Sequence, residues 1–274
     1  EEHFSSIKIN WNDKVSNIKQ IVEELNIGLD STVFLDDDKV NQEFVKSMLP
    51  DVIVPELPED PSLYSKFLQN MIQFSNLKIT EEDKQRGKMY AQQKMRKEME
   101  VTTPDLSTFL KKLDLKITIK KVDAFSLPRG SQLILKTNQF NLTTKRYKES
   151  EVELMINDSN FFAGYVNVKD KFGDNGITGV FIIKKESEKI WNIDTFLLSC
   201  RVMGRDIEKA MFTYIVNEAQ KENVEQINSK FIPTQKNKPI KDFLPNCNFK
   251  KGNDYWSYMI KSKLSFPDYL EIET

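Results

Sequence analysis

"FAGYVNVKDKFGDNGITGVFIIKKESEKIWNIDTFLLSC", residues 162–200, decides the fold of most of this chain. Three apolar runs, FAGYVNV, ITGVFII and IWNIDTFLL, are separated by GDNG (Gly173 to Gly176) and KESEK (Lys185 to Lys189). Runs rich in β-branched and aromatic residues between Gly-rich and charged breaks read as strands joined by tight turns. A long antiparallel meander is therefore expected. Beyond it, Arg205 to Ala219 carries Ile207, Ala210, Met211, Tyr214 and Ile215 at helical spacing, so a helix follows the third strand. Upstream, LSTFLKKL (Leu106 to Leu113) reads as a short helix and LKITIKKV (Leu115 to Val122) as a half-buried strand. The stretch LILKTNQFNLTTKRY (Leu133 to Tyr147) is crowded with hydrogen-bonding side chains and reads as helix or helix-turn.

The residues before position 76 follow a different rhythm. Ile7 to Ile9 reads as a strand, Val15 to Leu25 as a helix, STVFLDDD (Ser31 to Asp38) as a buried strand ending in acid, and Asn41 to Leu49 as a helix. DVIVPELP (Asp51 to Pro58) is a further strand stopped by prolines, and Pro61 to Phe74 a third helix. This alternation is that of a parallel sheet with helices between its strands. The fold class expected is α/β: the C-terminal half of a doubly wound parallel sheet over 1–78, a charged linker helix over 79–103 opening at Thr80 with Asp83 three residues on, and a mixed α/β domain over 104–274.

Composition narrows the function classes. Among 274 residues, 40 Lys and Arg almost cancel 41 Asp and Glu, so no global field favours nucleic acid as a partner. Two cysteines, Cys200 and Cys247, exclude a disulfide-dense scaffold and suit a reducing cytoplasm. The single histidine, His3, argues against a His-based triad or metal site. No apolar run approaches the ~20 residues of a spanning helix, and no secretory signal opens the chain, so no membrane partner is expected. The start at Glu1-Glu2 rather than Met reads as part of a longer polypeptide.

Three constellations could carry chemistry. Lys14 and the pair Asp36/Asp37 follow strand-like segments, where ligands of parallel sheets bind. Paired carboxylates beside a lysine suit Mg²⁺ and a phosphate, while the plainer reading is that Asp37 or Asp38 caps the next helix. In LSCRVMGRDIEKAM, a strand, a loop with Arg201, Gly204 and Arg205, and a helix start make a site for a pyrophosphate. Asp206 would repel it. Cys200 beside Arg201 is either an acyl-relay thiol favoured by the cation or a buried small residue. Finally, Lys136, Asn138, Gln139, Asn141 and Thr143, with Asp170 and Asn175 of KDKFGDNG, form either a ligand-facing polar cluster or a polar surface and a hairpin.

Taken together these strings resemble a family. Lys14 and Asp36/Asp37 look like the third and fourth motifs of the haloacid dehalogenase superfamily, and Arg201 and Gly204 like the Q/RxxGxG/A acyl-CoA loop of the GNAT acetyltransferase fold. The order INWNDK, FLDDD, VPELPEDP, KTNQFNLTTKRY, KDKFGDNGITGV, LSCRVMGR, PTQKN resembles the FkbH-like proteins, which join these two domain types. The resemblance implies a HAD-like half domain followed by a GNAT-like domain. It implies a glyceryl or acyl transferase with phosphatase chemistry, taking a small phosphorylated acyl substrate (1,3-bisphosphoglycerate in members of known role) and loading the phosphopantetheine thiol of an acyl carrier protein for polyketide extender units. By position, Lys14 would steady the phosphorylated nucleophile, Asp36 and Asp37 would bind Mg²⁺, and Arg201, Gly204, Arg205 and Asn237 would face phosphopantetheine or CoA. The resemblance would make the polar cluster one wall of an acyl-acceptor cleft. Departures are Asp206 at the last small position of the loop, Leu244 where acetyltransferases often place a tyrosine, and the lack of a DxDxT-like strand. The alternatives are an acyl-CoA-dependent N-acyltransferase and a non-catalytic carrier-docking module.

Overall fold

The computed structural model describes residues 4–25, 27–75 and 86–274. The chain divides into two compact units, Glu1–Met95 and Arg96–Thr274.

In the first unit, helices α1 (Lys14–Leu25), α2 (Lys39–Met48) and α3 (Tyr64–Asn70) are separated by short irregular segments. Val15 and Ile18 meet Val45, Leu49 and Val52 in a small apolar core. Asp38 caps α2, its carboxylate accepting the Val40 N–H at 2.8 Å, which satisfies one of the donors every helix start leaves open. Among the described residues the expected half of a doubly wound sheet is not seen. Residues 7–9 are not a strand, and the segments 31–38 and 51–58 meet in a single parallel bridge, Val33 to Ile53, with Phe34 N donating to the Ile53 carbonyl at 2.9 Å. Two short segments cannot hold a ladder; independent sheets need three or more strands over an apolar face.

Helix α4 (Arg86–Val101) spans the division between the units in sequence, and the expected start at Thr80 and Asp83 lies outside the described residues. In the second unit follow α5 (Leu106–Leu113), β1 (Lys116–Lys121), α6 (Leu127–Lys136), β2 (Phe140–Asn141), α7 (Glu149–Ile156), β3 (Phe161–Asp170), β4 (Gly173–Lys185) and β5 (Ile190–Leu198). Then come α8 (Ile207–Lys221), β6 (Gln226–Ser229), α9 (Phe243–Asn246), β7 (Lys250–Lys251), β8 (Trp256–Met259) and β9 (Glu271–Glu273). The strands form one mixed sheet in the order β7-β8-β6-β5-β4-β3-β1-β9, with β2 also on β5. The β3–β4–β5 meander is antiparallel, whereas β5 and β6, joined through α8, run parallel. The architecture is mixed α/β. Among the described residues no helix is long and apolar enough to cross a membrane.

Both faces of the sheet are covered. Phe109 and Leu113 of α5 and Met211 and Ile215 of α8 pack on Ile117, Phe181, Ile183 and Phe196. On the other side Ile134 of α6 and Val152 of α7 pack on Val180, Ile182 and Leu197. Hence residues 177–183 are buried without interruption, the mark of a strand covered on both sides.

Two local expectations are corrected. GDNG is not the turn: Gly173 to Gly176 belong to β4, and the reversal falls at Lys171 and Phe172. Asp170 closes it early by accepting the N–H groups of Phe172 (3.0 Å) and Gly173 (3.2 Å), and the glycine-rich run is taken up by register shifts in the hairpin. The polar stretch 133–147 is helical only to Lys136, after which it forms β2 and an irregular loop.

Gly164 pairs with Phe181 across the β3–β4 ladder, and a Cβ there would come within 2.2 Å of the ring. Since Phe181 is fully buried, it has nowhere to retreat. Gly164→Ala is expected to cost about 1–3 kcal/mol, read as a lower urea midpoint with an unchanged slope.

Candidate functional site

The β5–α8 connection is built to leave a helix start open. Strand β5 ends at Leu198, a 3₁₀ turn spans Cys200–Val202, and the backbone is left-handed at Gly204 (φ 73°) and again at Asp206 (φ 58°). Glycine adopts this conformation freely; Asp206 does so at some cost. Its side chain gives α8 no cap. Instead the carboxylate accepts the Tyr269 hydroxyl and pairs with Lys209 Nζ at 2.8 Å. The charge expected to repel a phosphate thus has a cationic partner. The first-turn N–H groups, at the positive end of the 15-residue helix, receive no side-chain cap from it.

Asp170, Asn175 and Arg205, singled out separately in the sequence, converge, and Arg96 of α4 joins them. Asp170 accepts Arg96 Nε at 2.6 Å and Nη2 at 2.9 Å in a bidentate pair, Asn175 Nδ2 lies at 3.4 Å, and Arg205 Nη1 at 3.7 Å. Burial, with Arg96 nearby, lowers the proton affinity of Arg205 to about 10. Asp170 therefore holds a turn and two arginines, and Asn175 is bonded to Asp170. Nothing in the sequence separates Arg96 from Lys94 and Lys97 beside it.

The cysteines are poor nucleophiles as placed. Burial pushes the Cys200 thiol above its ordinary value against the opposing pull of Arg201, which favours the buried-residue reading over the relay thiol. Cys247 is pushed up to about 12 by burial and by Glu208. Glu208, in the first turn of α8, has its carboxyl raised mainly by burial and also by Asp206, and its buried Oε2 lacks a hydrogen bond.

The polar stretch is largely spent on structure. Lys136 is exposed at the end of α6, Asn138 is exposed and Gln139 half-buried. Arg146 donates to the Ile134 and Thr137 carbonyls, capping the end of α6, and also to Asn138 Oδ1. Tyr147 OH donates to Asp194 at 2.9 Å, Lys145 pairs with the same carboxylate, and Thr143 Oγ1 donates to the Asp194 carbonyl at 2.7 Å. Asn141 is fully buried, receiving the Thr144 N–H at 2.9 Å and donating to Thr137 O at 3.2 Å. Asn237, expected at the cofactor, is fully buried too; it donates to the Asn141 carbonyl (3.0 Å) and the Ile232 carbonyl (2.9 Å) and accepts the Thr234 N–H (2.7 Å). Both side chains are thus engaged in hydrogen bonds within the fold. Beyond the last β5–β6 pair, Ile193 with Ser229, residues 140–142 sit between the two chains: Leu142 N donates to Phe196 O and Ile232 N to Leu142 O.

In the first unit Lys14 Nζ lies 3.6 Å from Asp36 Oδ2, so these two do meet. Lys14 is the first residue of α1 rather than the end of a strand. Asp36 Oδ1 accepts the Asp38 N–H at 2.9 Å, and Asp37 is exposed. Among the described residues no group of three or more His, Cys, Asp or Glu is placed to hold a metal ion. Two carboxylates, one already committed to a lysine and a backbone N–H, do not by themselves fit Mg²⁺.

Two outcomes test these assignments. Asn237→Ala should cost about 1–3 kcal/mol in chemical denaturation, because it strands the buried Asn141 carbonyl and removes the bonds to Ile232 and Thr234. For Glu208 the raised carboxyl means that folding favours its protonated form, so its contribution is full below the ordinary value of 4.5 and is lost as pH rises through the folded value. Glu208→Gln should therefore raise the melting temperature at neutral pH and leave it unchanged below 4.5.

No protein-family model matches the chain, and no curated protein sequence matches it. Among solved structures it is similar to the ribosomal-protein-S18-alanine N-acetyltransferase from Escherichia coli, with TM-score 0.42 and 9% identity over 55% of this chain and 99% of that one. It is also similar to spermidine N-acetyltransferase from Vibrio cholerae in complex with CoA and spermine, with TM-score 0.41 and 9% identity over 53% of this chain and 95% of that one. A third likeness is to the N-terminal part of a Bacteroides fragilis protein containing a phosphatase domain complexed with Mg, with 44% identity and TM-score 0.24 over 26% of this chain and 19% of that one. TM-scores below 0.5 do not assign a family or an activity.

Proposed function

We propose that the Arg96–Thr274 unit is an acyltransfer domain that receives the phosphate of phosphopantetheine at its β5–α8 loop, and that the chain is part of a FkbH-like transferase loading a glyceryl-type acyl unit onto an acyl carrier protein. The observation that carries the reading is the start of α8. A glycine in the left-handed region precedes a long helix whose cap residue turns its carboxylate away to Lys209 and Tyr269, next to Arg201 and Arg205. Backbone N–H groups at the positive end of a helix, with arginines close in sequence, are a site for a phosphate. Within the Glu1–Met95 unit, Lys14, beside Asp36, would steady phosphoryl oxygens. No step is routed through Cys200, whose burial disfavours the thiolate.

A second reading is favoured by one observation. With Asp206 paired to Lys209, its objection to the pyrophosphate of an acyl-CoA weakens, so an acyl-CoA-dependent N-acyltransferase is the alternative. Leu244 is buried in the core, where it offers no acid to such a reaction.

Incubation with 1,3-bisphosphoglycerate, Mg²⁺ and a holo carrier protein, followed by intact-mass measurement of the carrier, separates the readings. A gain of one glyceryl group on holo carrier and none on apo carrier is expected. Absence of any gain, with acetyl-CoA consumed on a polyamine or peptide instead, would give the alternative.

A further inference from the structure

The buried charges beside the β5–α8 loop do not balance. Arg96, Asp170 and Arg205 have side chains only 2%, 0% and 7% exposed. One carboxylate faces two guanidiniums. Asp170 commits both oxygens to Arg96 and to the turn N–H groups, leaving Arg205 3.7 Å away with its buried Nη1 unbonded. The other carboxylate acting on Arg205 is Glu100, which is exposed and so screened by water. If the cluster served only to brace the β3–β4 turn against α4, the bidentate Arg96–Asp170 pair would suffice. A second buried arginine, incompletely paired, is a cost to stability. It stands between the two left-handed residues, Gly204 and Asp206, two positions before the first residue of α8. Anchoring its side chain therefore fixes the backbone on both sides of it.

We infer that Arg96, Asp170 and Arg205 are a positioning unit for an anion at the start of α8: Asp170 anchors Arg205 and thereby the loop, and the surplus positive charge adds to that of the helix end. The inference rests on reading the loop as a phosphate site. Its ligand class is a phosphate monoester on an uncharged amide-bearing arm, with Arg205 setting the preference for the phosphorylated over the unphosphorylated arm.

The test is calorimetric titration of the whole chain with 4′-phosphopantetheine and with pantetheine. The native protein should prefer the phosphorylated ligand by about tenfold or more, as expected for an anion at a helix end assisted by a weakly screened charge. Arg205→Met should bring that ratio close to one. Arg205→Lys should keep part of it. Arg96→Met, which leaves one carboxylate with one arginine, should lower it several-fold. Melting curves identify the variants that fold, and either methionine variant that folds with the native ratio overturns the inference. If the native protein itself fails to distinguish the two ligands, the phosphate-site reading fails and the inference with it.

Discussion

A strand covered on both faces constrains this molecule more than any other feature. Residues 177–183 of β4 are buried, so helices must lie on both sides of the sheet and the remaining strands must keep the register that β4 imposes. With about 25 cal/mol for each Å² of apolar surface buried, burying such a run outweighs the local preferences of the segments joined to it. The loops then have little freedom: those at the end of β3 and after β5 must turn where the strands stop. Asp170 and Arg205 are brought together from positions far apart in sequence.

That constraint was legible in the sequence because it is written in repeating hydrophobic patterns. The three meander strands, the half-buried β1 and the helix after β5 each rest on many residues agreeing, so no single side chain decides them. The strand segments expected in the first unit differ for the converse reason. STVFL and DVIV have strand composition, but a strand exists only with a partner, and composition does not supply one. GDNG misled because glycine signals positive φ or slack backbone, which a bulged hairpin uses as readily as a turn. Asp170, three residues earlier, closed the reversal first.

The candidate site was legible in part. The loop from Ser199 to Asp206 followed from a strand, a glycine and a helix start in succession, all local information. What the site side chains do was not readable, because each answer depends on a distant residue: Asp206 on Tyr269, Arg205 on Asp170, Asn237 on the Asn141 carbonyl. Polar residues gathered in one stretch suggested a surface offered to a ligand. Most of them instead close helix ends and loops from within, since a buried irregular segment must satisfy every backbone group it carries.

The short strand β2 also bears on how the chain reaches this state. It occupies the space where β5 and β6 part, held on one side by Leu197 and Leu198 and on the other by Ile232 and Asn237. The bond from Asn237 to Asn141 closes a loop of 96 residues. Such distant closures raise contact order, and their entropy must be met before the contacts return anything. On a ribosome the hairpin of β3 and β4 can form while β6 is still unmade, but Asn141 must wait, its carbonyl hydrated, until Asn237 has left the exit tunnel. The middle of the sheet is thus sealed before β8 and β9 extend its two sides.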